Sequence, residues 1–208
     1  ALAADLKARH GRRMAAPGRQ RFFARALPAL DELATAYFVK ALEDLGWNRQ
    51  AQGAATVREL AMRLGISQKH FNILERILKI ISEDGLAERR GELWALRDVG
   101  ERGDADAMWR RLVAVHPECH AELSLIQRCG SRLAALLRDE EDPLAVLFPV
   151  GSATAEHFYA DAPTMWPGLG VLADAVTEIV EGLPEGEVLR VLEVGAGTGA
   201  LAARLLPL

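Results

Sequence analysis

Hydrophobic residues recur at helical spacing through most of the chain before residue 186. From Leu27 to Leu45 the apolar positions fall three or four residues apart, and Gly46 follows the last of them. A second such stretch lies between Ser67, a candidate helix cap, and Gly85. Its apolar positions are Phe71, Leu74, Ile77, Leu78 and Ile81. This spacing places the apolar side chains on one helical face, so the sequence predicts a mainly helical chain.

Residues 56–96 carry a more specific order of elements. Thr56 and Glu59 have the spacing of a capping box, in which the Thr hydroxyl accepts from a backbone amide and the Glu reaches back to the cap amide. The short helix that they open is predicted to end at Gly65. After the second helix, residues 86–96 alternate around Arg90-Gly91, which predicts a two-stranded hairpin. Helix, tight turn, helix and hairpin together predict a winged-helix-like subdomain.

The charge of this subdomain argues against a nucleic-acid partner. Residues 56–98 contain eight Lys and Arg against seven Asp and Glu, a net charge of only +1. A protein that binds the nucleic-acid backbone has to neutralise several phosphates at once. We therefore expect this subdomain to serve packing or dimerisation, with no nucleic acid as a partner.

The sequence from residue 101 to the next boundary predicts further helices. The predicted helical stretches are 106–138, about 153–159 and 171–180, whereas the Pro- and Gly-rich residues 163–170 are predicted to be irregular. Gly182, Pro184 and Gly186 then mark a boundary. The predicted units are a basic N-terminal segment (1–25), a winged-helix-like helical subdomain (26–100), a further helical region (101–185) and a last unit of different character (186–208).

The last unit contains the motif with the clearest chemistry. An apolar run with β-branched bias, 188–194, leads into three glycines, Gly195, Gly197 and Gly199, and then into a helical pattern over 200–206. A strand that enters a Gly-rich bend and then a helix is the opening unit of nucleotide-binding α/β sheets. Glycine lets the backbone adopt positive φ and approach a ligand with no Cβ in the way. The spacing is G-x-G-x-G rather than the G-x-G-x-x-G of dinucleotide folds.

This spacing, with an acid two positions ahead of the first glycine, resembles motif I of class I methyltransferases, whose loop holds S-adenosylmethionine. The resemblance implies that cofactor binding involves Glu193, Gly195, Ala196, Gly197, Thr198 and Gly199. Tyr159 lies in a segment that the resemblance places near the cofactor, so it is a further candidate contact, although packing is the alternative role. Another nucleotide-binding fold or an ordinary turn remain alternatives for the loop.

A wider likeness covers most of the chain. The segments at 142–149, 158–163, 189–199 and 205–208 resemble, in order and spacing, the carbon-methyltransferase domains of type I polyketide synthases. The resemblance implies a helical lid, then the first β-α unit of a Rossmann-like α/β methyltransferase core, truncated here. It also implies methylation of the α-carbon of an acyl thioester, with the acyl carrier protein and neighbouring synthase domains as partners.

One segment departs from the family pattern. Where the family usually has an Arg, an aromatic pair and an Asn that line the lid, residues 164–169 read Thr-Met-Trp-Pro-Gly-Leu. This departure implies a specialised subtype, such as a loading-module domain, or a pseudo-methyltransferase that acts as an adaptor docking a neighbouring synthase domain. A small-molecule O-methyltransferase that dimerises through its winged helix is a further alternative. No catalytic residue can be assigned, because this chain supplies only one strand of the core, and we expect the isolated chain to be inactive.

Composition and charge add few constraints. The net charge of the chain is −4. Residues 1–25, however, carry seven basic residues against one acidic residue, Asp5, and this basic segment is predicted to be a linker or a helix packed on a neighbouring domain. Two cysteines cannot form a disulfide framework, and no apolar run approaches the ~20 residues of a membrane span, so we expect a cytoplasmic protein without a membrane partner. The nearby His116, Cys119 and His120 lack the second ligand cluster of a zinc site, and His70 is expected to be solvated.

Overall fold

The computed structural model describes residues 2–47, 53–97, 104–151 and 154–207. The described part is mainly helical, as predicted, with one small antiparallel sheet. The helices before the β2–β3 hairpin are α1 (Leu2–Ala15), α2 (Pro17–Arg21), α3 (Leu27–Asp44), α4 (Val57–Arg63) and α5 (Phe71–Glu83). Those after it are α6 (Ala105–Val115), α7 (His120–Gly130), α8 (Leu133–Arg138), α9 (Pro143–Leu147), α10 (Thr154–Asp161), α11 (Trp166–Glu181) and α12 (Ala200–Leu205). The strands are β1 (Ala55–Thr56), β2 (Ala87–Arg90) and β3 (Leu93–Leu96).

The predicted order of helix, turn, helix and hairpin over residues 56–96 is present in the structure. Strand β3 lies between β1 and β2, and both pairings are antiparallel. The Thr56 amide donates to Glu59 Oε2 at 2.8 Å, and the Glu59 amide donates to Thr56 Oγ1 at 3.3 Å, which completes the capping box. In the hairpin, Arg90 pairs with Leu93 across the turn. The predicted end of this unit, at residue 100, lies outside the described residues.

Two apolar clusters form the core, and α3 contributes to both. The first joins the C-terminal half of α3 to α8 and to the winged-helix unit, which consists of α4, α5 and β1 to β3. Its members include Leu42, Leu60, Leu78 and Leu137. The second joins the N-terminal half of α3 to α6 and α7, through residues such as Leu33, Tyr37 and Leu123. Each fully buried Leu contributes about 1.5–3 kcal/mol relative to its exposed state. The helical region is therefore organised around α3.

The basic N-terminal segment is helical and packs within this chain. Helix α1 lies against α11, where Arg13 Nη2 donates to Asp174 Oδ1 at 2.7 Å and Arg9 pairs with Glu178. No residue of α1 is fully buried. Because few apolar side chains are covered, charge pairing is the specific part of this contact. Of the two predicted alternatives, a linker and a helix packed on a neighbouring domain, the segment has the helix, which here packs on α11 of the same chain.

Three local predictions were wrong. Residues 163–170 are not irregular throughout, because α11 begins at Trp166 with Pro167 in its first turn, where a missing amide donor costs little. Ser67 does precede the second winged-helix helix, but through a 3₁₀ turn, Gln68–His70, and its side chain makes no capping hydrogen bond. His70 is buried rather than solvated, at 8% exposure.

Candidate functional site

The glycine bend has the backbone geometry that its sequence predicts. The φ angles of Gly195, Gly197 and Gly199 are +79°, +56° and +73°, all in the left-handed region that favours glycine. The Gly199 amide donates to the Ala196 carbonyl at 2.9 Å, which closes the turn. Helix α12 follows directly, with Gly199 as its N-cap residue.

The surface of this bend is open to approach by a ligand. Apart from the residues adjacent in the chain, no atom lies within 4 Å of the position that a Cβ would take at Gly195 or Gly199. Ala196 and Gly197 are exposed, whereas the side chains of Glu193 and Thr198 are half-buried beside them. The bend therefore combines exposed residues with one carboxylate and one hydroxyl, groups that can bind a polar ligand.

The predicted strand ahead of the bend is not a hydrogen-bonded strand. Residues 188–194 carry no regular secondary structure, and Val188, Leu192 and Val194 are 82%, 86% and 88% exposed. A strand exists only through hydrogen bonds to a neighbour, and the described residues place no partner strand beside this segment. All side chains of this segment except that of Glu193 are exposed, so no other element of the described chain covers it.

The helix after the bend is attached to two helices of the preceding region. Helix α12 packs against α10 and α11, and Arg204 Nη2 donates to the Ala160 carbonyl at 3.2 Å. Tyr159 lies on the same helix as Ala160 and is 41% exposed. Its ring makes an edge contact with Phe158, with centroids 5.5 Å apart. Among the described residues no hydrogen bond or ring contact joins Tyr159 to the bend, so its contact with the cofactor stays a prediction.

The turn between α10 and α11 reveals two charged residues that sequence reasoning missed. Glu122 of α7 is 4% exposed, and its Oε1 accepts from both the amide and the hydroxyl of Thr164, each at 3.1 Å. Arg19 of α2 donates to the Pro163 carbonyl. Glu122 stands between Ala121 and Leu123 with no motif around it, so nothing local in the sequence signals this long-range partner.

The described residues contain no group of three or more His, Cys, Asp or Glu side chains that could hold a metal ion. Cys119, which the sequence places near two histidines, is fully buried, and burial raises the pKa of its thiol to about 12. A thiol with such a pKa stays protonated at neutral pH and is a poor nucleophile or ligand. Within the described ranges no helix is long and apolar enough to cross a bilayer.

Comparison with known sequences finds multidomain relatives. No family model matches the chain. The chain is 28% identical over 189 residues to the non-reducing polyketide synthase pkiA of Emericella nidulans, covering 87% of this chain and 8% of that protein. It is 30% identical over 197 residues to the non-reducing polyketide synthase dpmpA of Macrophomina phaseolina, covering 89% of this chain and 8% of that protein. The chain thus spans less than a tenth of the relatives that it matches.

Comparison with solved structures shows which domain of a polyketide synthase this chain resembles. The CurJ carbon methyltransferase superposes with a TM-score of 0.88 at 26% identity, covering 99% of this chain and 55% of that one. The CMeT domain of the citrinin polyketide synthase superposes with a TM-score of 0.86, with the same coverage, at 24% identity, which supports the fold alone. The predicted resemblance to polyketide synthase carbon methyltransferase domains is confirmed, and the chain corresponds to about half of such a domain.

Proposed function

We propose that this chain, as the first part of a polyketide-synthase-type carbon methyltransferase, binds S-adenosylmethionine with the loop from Glu193 to Gly199. The observation that carries the proposal is the bend itself, in which alternate glycines hold left-handed φ with open space around them. The likeness to the CurJ carbon methyltransferase along nearly the whole chain supports it.

The side chains of the loop fit the polar part of this cofactor. Exposed backbone amides around Ala196 and Gly197 are donors for a carboxylate, and the Glu193 carboxylate is an acceptor for an ammonium group. The absence of Cβ atoms at the glycines lets the ligand approach the backbone closely. When bound, the cofactor supplies an electrophilic methyl group. The loop residues bind and orient it.

We propose further that the substrate is an acyl thioester on an acyl carrier protein, methylated at its α-carbon. Helices α10 and α11 would then form the side of the lid nearest to the cofactor, because both pack against the helix that follows the loop. Exclusion of water by such a lid protects a reaction that forms a carbanion. The carrier and the neighbouring synthase domains would be the partners, and the cytosol the site of action.

Calorimetric titration with S-adenosylmethionine tests the proposal. A polypeptide that carries residues 1–208 within a complete methyltransferase domain is expected to bind with measurable heat. The 208-residue chain alone is expected to show none, because one loop offers few contacts and no described residue pairs with the segment 188–194 in a sheet. Absence of binding by the complete domain would contradict the cofactor assignment, and tight binding by the 208-residue chain would contradict the expectation that the loop alone offers too few contacts.

A non-catalytic adaptor is the second candidate. It is favoured by the departure of residues 164–169 from the family pattern and by the role of Thr164, whose polar groups bind Glu122 rather than lining a pocket. An adaptor would keep the fold and dock a neighbouring domain without using the cofactor. The same titration separates the two candidates, because an adaptor gives no heat with S-adenosylmethionine even in the complete domain.

A further inference from the structure

The turn from residue 162 to 165, between α10 and α11, is held by side chains of opposite charge from two other helices. Glu122 accepts both hydrogen bonds that Thr164 donates, at 3.1 Å each, and Arg19 donates to the carbonyl of Pro163. Ala162 and Pro163 are themselves buried. Two successive residues of one turn are thus fixed by an anion on α7 and a cation on α2.

This arrangement is more polar than stability alone requires. Glu122 is 4% exposed, and its second oxygen, Oε2, has no hydrogen-bond partner among the described residues. Arg19 lies over the rings of Phe22 and Phe23, 4.7 Å and 4.3 Å from their centroids. A buried charge is costly, and well-packed apolar residues often stabilise a fold as well or better. A carboxylate at this position therefore suggests a role in placing the turn.

The turn is connected to the glycine bend through α10 and α12. Arg204, on the helix that follows the bend, donates to the Ala160 carbonyl near the end of α10, two residues before the turn begins. Helix α11, which leaves the turn on its other side, also packs against α12. A displacement of the turn would therefore move both helices on which α12 rests.

We propose that Glu122 is a positioning residue for the cofactor loop. By fixing Thr164 it holds α10 and α11, and through them α12, in the arrangement in which the bend from Gly195 to Gly199 receives its ligand. This inference rests on the proposed cofactor function of the loop. Glu122 touches no ligand in this scheme and acts only through the turn.

Substitutions at Glu122 in the complete domain test the inference. Glu122→Leu removes the acceptor and is expected to raise the Kd for S-adenosylmethionine several-fold, to a limit of about tenfold, because the energy of one charged hydrogen bond limits how far its loss can shift the domain toward arrangements that do not bind. Glu122→Gln keeps an acceptor oxygen for Thr164 and is expected to restore the Kd to within about threefold of wild type. Glu118→Leu, at an exposed glutamate just before α7, is the matched control and is expected to leave the Kd unchanged.

Hydrogen exchange supplies a readout that does not depend on the cofactor. Glu122→Leu is expected to speed amide exchange in residues 154–165 and in α12, while exchange in the winged-helix unit stays as in wild type. Unchanged exchange in α12 overturns the inference whatever the titration shows. If wild type binds the cofactor and Glu122→Leu binds equally well, the inference is wrong while the proposed function stands. If the wild-type domain fails to bind S-adenosylmethionine, the proposed function is wrong. Hydrogen exchange then decides by itself whether Glu122 fixes the position of α12.

A milder variant covers the case in which Glu122→Leu does not fold. Thr164→Val keeps the shape and the backbone donor of Thr164 but removes the hydroxyl donor. It is expected to raise the Kd for S-adenosylmethionine about twofold to threefold and to speed exchange in α12. Wild-type values for both quantities would overturn the inference.

Discussion

At the scale of single residues, Gly197 is the glycine of the bend whose added Cβ would come nearest to other backbone atoms. Its φ of +56° costs an L-residue about 1–2 kcal/mol, and a Cβ there would lie 3.8 Å from the Gly195 carbonyl oxygen, at the surface assigned to the ligand. We predict that Gly197→Ala weakens binding of S-adenosylmethionine by the complete domain about tenfold or more, measured by calorimetry.

Gly186 provides the matched control for this substitution. Its φ is +87° and its Cβ position is open, so Gly186→Ala imposes a similar backbone cost outside the bend. It is expected to lower stability comparably while leaving the Kd within about twofold. Equal losses of affinity in the two variants would mean that backbone strain, and not ligand contact, explains the result.

At the scale of elements, the start of α4 depends on a cap that can be measured. The hydroxyl of Thr56 accepts from the Glu59 amide, so we predict that Thr56→Ala lowers the free energy of unfolding by about 1 kcal/mol. Chemical denaturation of the 208-residue chain measures this change. Ser67→Ala is the control, because Ser67 also occupies a cap position but its side chain makes no capping bond. A loss as large at Ser67 would contradict the importance of the capping bond.

The elements that the sequence predicted well are those whose signal is local. The capping box at Thr56, the hairpin around Arg90-Gly91 and the glycine bend each follow from residues within a few positions of one another. The predictions that need distant partners were wrong or missing. Residues 188–194 have strand character but no partner strand in the described part of the chain, and Glu122 binds a residue 42 positions away.

At the scale of the whole molecule, the first helix is joined to the last long one by ion pairs. Arg13 and Asp174 are 161 positions apart, and Arg13 is 41% exposed, so solvent screens much of their attraction. We predict that Arg13→Glu and Asp174→Arg each destabilise the chain, that the double exchange restores most of the loss, and that the coupling is about 0.5–1 kcal/mol. Thermal denaturation of the four proteins measures it.

The loss of folding stability at acid pH provides a second check of the Arg13–Asp174 ion pair. The hydrogen bond from Arg13 lowers the pKa of Asp174, so folding is favoured when that carboxylate is ionised. The contribution is therefore present above the unfolded pKa of about 3.9 and is lost as the pH falls through the lower folded value. In Arg13→Glu the loss of folding stability at acid pH is expected to begin at a higher pH than in wild type. An unchanged dependence of stability on pH would contradict the assignment of this ion pair.

Helix α3 supplies Val39 and Leu42 to one apolar cluster and Leu33 and Tyr37 to the other. The boundary between the two apolar clusters therefore lies along one helix, α3, rather than at a hinge. Chimeras that exchange parts of this region between homologues have to respect that border. A crossover inside Leu27–Asp44 would require the packing of both apolar clusters to be matched again at the same time. A crossover outside this range transfers α3 whole, together with its neighbours in the two clusters.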